Sequence, residues 1–273
     1  MSANSLIEWT NNTWNPSRGC SKVSQDWEHR YGETLAERLR GVPGNAFEQG
    51  FVVRIAPSKL LEPFQWIRPK RMFVTGTPDL FHDEIPDRFI VAAFEVMAGA
   101  NWHAYHVLTQ HPERMRTMLK ADLDFATELP HIWWGVTVEN KRHGLPRLDC
   151  LQKCDASMRF LSCEPLLEDL GTVCFESINW VIAGGDSVPG ARPVRKEWIV
   201  SLRNQCISAH IPFYFKQWGG FPNGKLGGEL DGKEYRGFPP MLDLRTPSLV
   251  RRRQIEAELH KQLWAMGILE QAA

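Results

Sequence analysis

The stretch IWWGVTV, from Ile132 to Val138, predicts the fold class of this chain. An uninterrupted run of aromatic and β-branched residues is typical of a parallel strand that is buried on both faces. Similar runs occur at FVVRI, RMFVT and NWVIA. Working outward from these runs, we predict eight strands, at residues 13–18, 51–56, 71–75, 103–108, 132–138, 158–161, 179–183 and 212–215.

Helical patterns separate these strands. Helices are predicted to begin at Pro86, at Pro112 and at Lys196, because proline suits the first turn and apolar residues then recur at helical spacing. Alternating strands and helices predict a parallel sheet with right-handed crossovers, and eight strands predict a (β/α)8-like or partial TIM barrel. We expect one barrel domain over residues 1–273, with an irregular segment at 219–247, a hairpin at Asp231-Gly232 and a terminal helix at 248–268.

Composition limits the class of protein. With 43% hydrophobic and 23% charged residues, the chain of 273 residues has enough apolar surface to form a large core. Lys and Arg number 32 and Asp and Glu number 32, so net charge gives no reason for binding nucleic acid or an anionic membrane. The absence of a signal sequence or long apolar run predicts a cytoplasmic protein whose six cysteines are reduced thiols.

Polar residues follow the predicted strands. In a parallel barrel the carboxyl ends of all strands open on one face, so these residues would surround a single pocket. Four of them, Asp79, Glu139, Glu164 and Lys216, are candidate acid, base or electrostatic groups. The alternative is that such residues cap the helices that follow the strands. Lys216 fits that alternative least, because Gln217 and Trp218 follow it directly.

A glycine pair follows the seventh predicted strand. Gly184 and Gly185, before Asp186, would let backbone N–H groups approach an anion, and Arg192 could add positive charge there. With Lys216, these groups suit a zwitterionic or phosphorylated nucleoside-like ligand. The alternative left open is a structural network in which Lys216 pairs with Glu164 or Glu139.

Several blocks of the sequence carry a family resemblance. WNPSRGCSKVS, TPDLFHDEIPDRFI, HVLTQHPERM, WWGVTVEN, RFLSCEPLL, WVIAGGDSVPGARP and FYFKQWGG resemble the phage and bacterial three-cysteine-motif proteins typified by phage gene products thirty-seven and sixty-eight, which are similar to radical SAM enzymes. The resemblance covers about residues 7 to 240. It implies a radical-SAM-like α/β barrel, an iron–sulfur cluster in the loop after the first strand, and S-adenosylmethionine as cofactor.

The cysteine motif is degenerate in this chain. Cys20 occupies the first cysteine position, but Trp27 and Arg30 stand at the second and third. Neither side chain can replace a thiolate, so we expect that no four-iron cluster binds here and that Trp27 and Arg30 fill its space. The residues expected to hold a surviving nucleotide-like or S-adenosylmethionine-like ligand are Asn15, Cys20, Gly184, Gly185, Asp186, Arg192 and Gln217.

Three interpretations of function follow. The first is a radical-SAM-like barrel that has lost its cluster and keeps a ligand pocket. The second is a cluster-independent hydrolase or transferase in which the pocket carboxylates and Lys216 act as acid and base, or in which the carboxylates hold a divalent cation. The third is a nucleic-acid-binding or nucleic-acid-modifying protein that uses the basic runs at 68–71 and 251–253, with Trp66 available for stacking.

Overall fold

The fold is built on one curled parallel sheet, a half-barrel. The computed structural model describes residues 8–18, 38–42, 48, 50, 52–74, 79–186, 192–219, 227–240 and 244–269. Within them the order of the seven sheet strands equals their order in the chain, and all neighbours are parallel. The strands are β1 (Asn12–Trp14), β2 (Arg71–Val74), β3 (Ala104–Thr109), β4 (Ile132–Thr137), β5 (Met158–Cys163), β6 (Trp180–Ala183) and β7 (Phe213–Phe215).

Six helices connect or follow the strands in the described part of the chain. Three helices start at or next to the predicted positions Pro86, Pro112 and Lys196. Proline suits the first two starts because it fixes a helical φ and lacks the N–H that a first turn leaves unpaired. None of the helices among the described residues is long and apolar enough to cross a membrane. They are α1 (Glu62–Gln65), α2 (Asp87–Gly99), α3 (Pro112–Leu119), α4 (Lys141–Gln152), α5 (Lys196–Ser208) and α6 (Leu249–Ala265), with 3-10 turns at Pro57–Lys59 and Asp124–Ala126.

The predicted strand at 51–56 is wrong. Only Arg54–Ile55 is extended, and it pairs antiparallel with Ser17–Arg18 outside the main sheet. A parallel strand must be covered on both faces, yet the side chain of Val52 is exposed in this segment. An apolar run alone therefore did not identify a sheet strand. The described sheet has seven strands, and the (β/α)8 prediction holds only as its coarser form, a parallel α/β half-barrel.

The segment predicted to be irregular protects the edge of β7. Tyr235 and Gly237 lie antiparallel to this strand: Phe215 N donates to Tyr235 O at 2.8 Å, and Gly237 N donates to Phe213 O at 3.0 Å. The predicted hairpin at Asp231-Gly232 is confirmed, because both turn residues have positive φ between Glu229–Leu230 and Lys233–Glu234. The last strand of the half-barrel thus has a partner on its outer edge.

Aromatic rings fill the concave side of the sheet. Trp9 lies against rings from four strands, with centroid separations of 5.2 Å to Phe73 and 5.7 Å to Trp180. Phe238, from the segment that follows β7, packs on Trp180 with a ring-centroid separation of 5.0 Å. Gly135 is required here, since a Cβ on it would lie 2.3 Å from the Phe160 ring. The interior is therefore closed by packed rings below the carboxyl ends of the strands.

One histidine lies inside this aromatic layer. His106 of β3 is fully buried, with its ring 4.8 Å from Trp133 and 5.5 Å from Trp9. Neither ring nitrogen has a hydrogen-bond partner with good geometry among the described residues. The nearby backbone of Met72 raises the pKa of the ring, but this effect is smaller than that of burial. Burial lowers the pKa of His106 from 6.5 to about 3. The folded protein therefore holds this ring neutral.

Acid should destabilise the fold through His106. Below pH 6.5 the unfolded chain takes up a proton that the folded chain accepts only near pH 3, so the free energy of unfolding falls as pH decreases between these values. We expect His106→Leu to reduce this dependence by up to about 1 kcal/mol per pH unit. Urea denaturation between pH 7 and pH 4 measures it. His210→Asn is the control because His210 is exposed and has a positive φ that asparagine tolerates. An unchanged pH dependence in His106→Leu would contradict the assignment.

Candidate functional site

Backbone hydrogen bonds join the loops at the carboxyl ends of β4 to β7. Leu167 N donates to Glu139 O and Leu166 N donates to Gly184 O, both at 2.9 Å, and Lys216 N donates to Ala183 O at 2.8 Å. The loop after β5 is therefore held between the loops after β4 and β6. Residues far apart in sequence become neighbours at this edge. We define the carboxyl-edge site as Asp79, His111, Glu139, Arg147, Glu164 and Lys216.

Glu164 and Lys216 form an ion pair on the concave side. Lys216 Nζ lies 2.8 Å from Glu164 Oε2, with side-chain exposures of 20% and 11%. Because β6 lies between β5 and β7, this pair spans three adjacent strands. Glu164 Oε1 also accepts hydrogen bonds from Trp9 Nε1 at 3.1 Å and from Ser162 Oγ at 3.3 Å. The aromatic layer thus positions the carboxylate from below, and the lysine pairing considered from sequence is present with Glu164.

Glu139 forms a second, more deeply buried ion pair. Arg147 of α4 lies 2.7 Å from Glu139 Oε2 and also donates to Thr137 Oγ1 at 3.0 Å. Both side chains are less than a tenth exposed. Glu139 Oε1 is buried without a hydrogen-bond partner among the described residues. One oxygen of Glu139 is therefore committed to Arg147, and the other is the one available to accept a hydrogen bond.

Sequence reasoning missed Arg147. The residue lies on the same helical face as Gly144, Leu148 and Leu151, all of which are buried. An arginine within a buried stripe needs a charged partner, because an isolated buried charge is costly. That position in the pattern could have identified Arg147 as the partner of a carboxylate. Gly144 is required for this packing, since a Cβ there would lie 2.7 Å from the backbone of Val138.

Asp79 organises the loop after β2 and the end of β3. Its Oδ1 accepts from Phe81 N at 2.9 Å. Its Oδ2 accepts from Thr109 Oγ1 at 2.8 Å, from Gln110 N at 2.6 Å and from His111 Nδ1 at 2.7 Å. A carboxylate offers about four acceptor positions, so these bonds occupy it. The geometry therefore favours Asp79 as a residue that positions His111 over the predicted direct acid or base role.

The charge on His111 depends on its neighbours. Burial and the charge of Arg147 lower the pKa of His111. The hydrogen bond and charge of Asp79 and the charge of Asp83 raise it by more, so the pKa lies above its usual value of 6.5. His82 lies 5.5 Å away, ring centroid to ring centroid. Burial and the charge of His111 lower the pKa of His82. The imidazolium form at this edge is thus favoured on His111.

The predicted anion cradle at the glycine pair is wrong. Gly184 N donates to Cys163 O at 3.1 Å, and Gly185 N donates to Gln217 O at 2.8 Å, so neither amide is presented to a ligand. A Cβ on Gly185 would lie 1.9 Å from the carbonyl oxygen of Trp218. The glycines are needed because two backbone segments approach each other. Local sequence could not distinguish that approach from an approach to a ligand.

The other candidate binding residues have mixed outcomes. Arg192 Nε lies 3.8 Å from Asp186 Oδ2, and the Arg192 side chain is 41% exposed. Gln217 is buried and Asn15 is partly buried. Cys20, Trp27 and Arg30 lie outside the described residues. That Trp27 and Arg30 fill the space of a cluster therefore stays a prediction. Asp186 and Arg192 therefore face each other, and the described geometry assigns no ligand to Asn15 or Gln217.

Four of the five described thiols are in environments that do not suit a metal cluster. Cys150, Cys154, Cys163 and Cys206 are buried, and burial raises the pKa of each thiol, to about 12 for Cys154 and Cys206. Cluster ligation requires thiolates, which these environments disfavour. Within the described ranges, no group of three His, Cys, Asp or Glu side chains could hold a metal ion. The divalent-cation form of the second interpretation thus has no ligand set in this part of the chain.

The basic runs do not form continuous exposed surfaces. Lys70 Nζ donates to Asn12 Oδ1 at 2.7 Å, and the Arg71 guanidinium lies 4.3 Å from the centroid of the Phe238 ring. Arg252 is 7% exposed and faces Trp102. These side chains support the fold. Lys70 and Arg71 of the first basic run and Arg252 of the second therefore make contacts within the protein.

The Glu139 and Arg147 pair gives a stability prediction. Arg147→Met leaves a buried carboxylate without its partner and should lower the free energy of unfolding by about 3–5 kcal/mol. Adding Glu139→Leu should recover part of this loss, because it removes the unpaired charge. Urea denaturation measures both. Lys59→Met, which removes a more exposed ion pair with Glu62, should cost less than about 1 kcal/mol. Equal losses for Arg147→Met and Lys59→Met would contradict the prediction.

Comparison with known proteins identifies a family. A family model described as "Protein of unknown function (DUF5131)" matches residues 4–240. This range contains all seven strands of the described half-barrel and every residue of the carboxyl-edge site. Neither the search of curated proteins nor the search of solved structures returned a match. Because the matched range covers most of the 273 residues, the chain belongs to the DUF5131 family.

Proposed function

We propose that the protein binds a nucleoside-like or S-adenosylmethionine-like molecule at the carboxyl-edge site, as a radical-SAM-like protein that has lost its iron–sulfur cluster. The observation that carries this proposal is the Glu164 and Lys216 ion pair, which is partly exposed on the concave side of the half-barrel. Ligands of parallel α/β barrels bind at the carboxyl ends of the strands. The pair lies at that edge.

Packing of the interior supports entry from this edge. Below the ion pair the concave side is filled by the rings of Trp9, Phe160 and Trp180, all of which are buried. A ligand cannot occupy that volume without displacing the rings. Above the rings, Glu164 and Lys216 are partly exposed and supply a carboxylate and an ammonium group, and the buried Ser162 hydroxyl donates to Glu164. The polar chemistry of the concave side is therefore concentrated where a ligand can approach.

Charge supports a ligand that carries groups of both signs. Lys216 would bind a carboxylate or a phosphate, and Glu164 would bind an amino group or a sugar hydroxyl. Such a ligand would exchange the direct ion pair for two charge-assisted contacts, which limits the cost of separating the two side chains. S-adenosylmethionine, its demethylated product and nucleotides have this combination of groups. An apolar ligand would leave both charges without partners.

The radical-SAM-like part of the proposal comes from sequence. The blocks from WNPSRGCSKVS to FYFKQWGG resemble that group, and a curled parallel sheet is the architecture that the resemblance implies. Trp27 and Arg30 at two of the three cysteine positions are the reason to propose that the cluster is lost. Reductive cleavage of S-adenosylmethionine requires the electron that such a cluster supplies. The proposal is therefore limited to ligand binding.

Ligand binding should depend on Lys216. We expect at least one of S-adenosylmethionine, S-adenosylhomocysteine, adenosine and adenosine monophosphate to raise the melting temperature, since a ligand that binds only the folded state stabilises it by about 2.7 kcal/mol at a hundred times its Kd. Lys216→Met and Glu164→Gln should each weaken binding at least about tenfold, which is about 1.4 kcal/mol. Scanning fluorimetry identifies the ligand, and titration calorimetry measures its affinity.

A matched control separates charge at the site from charge elsewhere. Lys196, at the start of α5, forms an exposed ion pair with Asp231 of the hairpin turn. Lys196→Met removes one positive charge, as Lys216→Met does, but away from the site. We expect Lys196→Met to bind with unchanged affinity. If no compound stabilises the protein while Lys216→Met lowers its melting temperature, the Glu164 and Lys216 pair is structural and the proposal is wrong.

A further inference from the structure

We propose that His111 is a proton carrier of the carboxyl-edge site: its Nε2 takes a proton from, or returns one to, a hydroxyl group or water held there, while Asp79 positions the ring. The step moves a single proton, so the O–H bond breaks as the Nε2–H bond forms and the ring becomes an imidazolium paired with Asp79. The inference rests on the proposed binding site for its ligand. It adds a chemical role that the Glu164 and Lys216 pair does not supply.

Hydrogen bonding fixes which nitrogen is available. His111 Nδ1 lies 2.7 Å from Asp79 Oδ2, which also accepts from Thr109 Oγ1 and Gln110 N. With its acceptor positions occupied, Asp79 remains the acceptor in this contact, so Nδ1 holds the proton. In the neutral ring Nε2 is then the nitrogen with a lone pair. Because Nδ1 is engaged with Asp79, Nε2 is the ring nitrogen that remains for proton exchange with a ligand.

The backbone holds the ring in place. His111 lies two residues after the end of β3, and its N–H donates to Thr109 Oγ1 at 2.9 Å. Pro112 then starts α3 with a fixed φ. The same threonine hydroxyl donates to Asp79, so the carboxylate and the histidine share one anchor. A proton-transfer group requires such fixed orientation, because proton transfer needs hydrogen-bond geometry.

Opposing effects determine the protonation state of His111. Burial and the charge of Arg147 oppose the imidazolium, whereas the hydrogen bond and charge of Asp79 and the charge of Asp83 favour it. Arg147 is itself paired with Glu139, so part of its charge is compensated. The side chain of His111 remains 17% exposed, which leaves a route for proton exchange with solvent. These features match the requirements of a general acid or base.

A structural role is the competing explanation. The Asp79 cluster joins the loop after β2 to the start of α3, and such a cluster would stabilise the fold whether or not Nε2 is accessible. The two explanations differ in what they require of Nε2. A proton carrier needs Nε2 to be accessible and basic, with the neutral ring protonated at Nδ1. A structural histidine needs only the Nδ1 contact, so reactivity at Nε2 distinguishes them.

Two measurements on the full chain test Nε2 directly. NMR titration of protein labelled with ¹³C and ¹⁵N at histidine should show His111 titrating above pH 6.5, with the neutral ring protonated at Nδ1. Diethyl pyrocarbonate should modify Nε2 of His111 at a rate that rises with pH through the same midpoint, as mapped by mass spectrometry. His210, which is exposed, is the internal reference for reagent reactivity.

Substitution of Asp79 tests its positioning role. Asp79→Asn should lower the His111 midpoint below pH 6.5 and shift the neutral ring away from the Nδ1 tautomer, because the charged acceptor is removed. Asp122→Asn, at an exposed position after α3, is the matched control and should change neither property. If Asp79→Asn fails to fold, the wild-type titration and modification decide the question.

Three results would overturn the inference: a His111 midpoint at or below pH 6.5, a neutral ring protonated at Nε2, or no modification of His111 under conditions that modify His210. Neither measurement uses a ligand. A failed ligand screen therefore removes the proposed function without changing the result for His111. Conversely, an unreactive His111 removes this inference while ligand binding through Lys216 stands.

Discussion

The rest of the structure depends on the filling of a half-barrel by Trp9. A sheet that curls without closing leaves its concave side open to water, and seven strands of mostly apolar residues cannot remain folded with that side exposed. The indole of Trp9 contacts rings on β2, β3, β5 and β6. Burial of large aromatic side chains contributes more per residue than any other apolar packing. One side chain thereby joins the β2 and β3 pair to the β5 and β6 pair, which β4 separates in the sheet.

The same packing places the polar groups. Side chains two residues apart in a strand point to the same face, so the residue that follows an aromatic position lies higher on the concave side. Phe160 is followed at this spacing by Ser162 and Glu164, and Tyr214 is followed by Lys216. Trp9 Nε1 donates to Glu164, which ties the two layers together. Continued at the ends of β5 and β7, this alternation places charged side chains directly above the buried aromatic layer.

Sequence predicted most of the sheet and part of the site. Seven of the predicted strands lie in the half-barrel because their runs are buried on both faces, a property that composition reflects directly. FVVRI has similar composition, but composition does not show that Val52 faces solvent. Strand ends drew attention to Glu164 and Lys216, which the structure brings together as an ion pair. The buried helix stripe could have indicated that Arg147 needs a carboxylate partner. That this partner is Glu139, and that Gly185 approaches the Trp218 carbonyl, depends on tertiary structure.

The strand order has a consequence for synthesis of the chain. Because order in the sheet equals order in the chain, each strand and its helix can add to the preceding ones as they leave the ribosome. Trp9 is the exception, since Glu164, its hydrogen-bond acceptor, follows it by 155 residues. On the nascent chain Phe73 and His106 are made early, but the indole must wait for β5 and β6 before Phe160, Glu164 and Trp180 exist. Until then the indole lacks part of its native packing, and partly packed aromatic surface is what makes folding intermediates prone to aggregation.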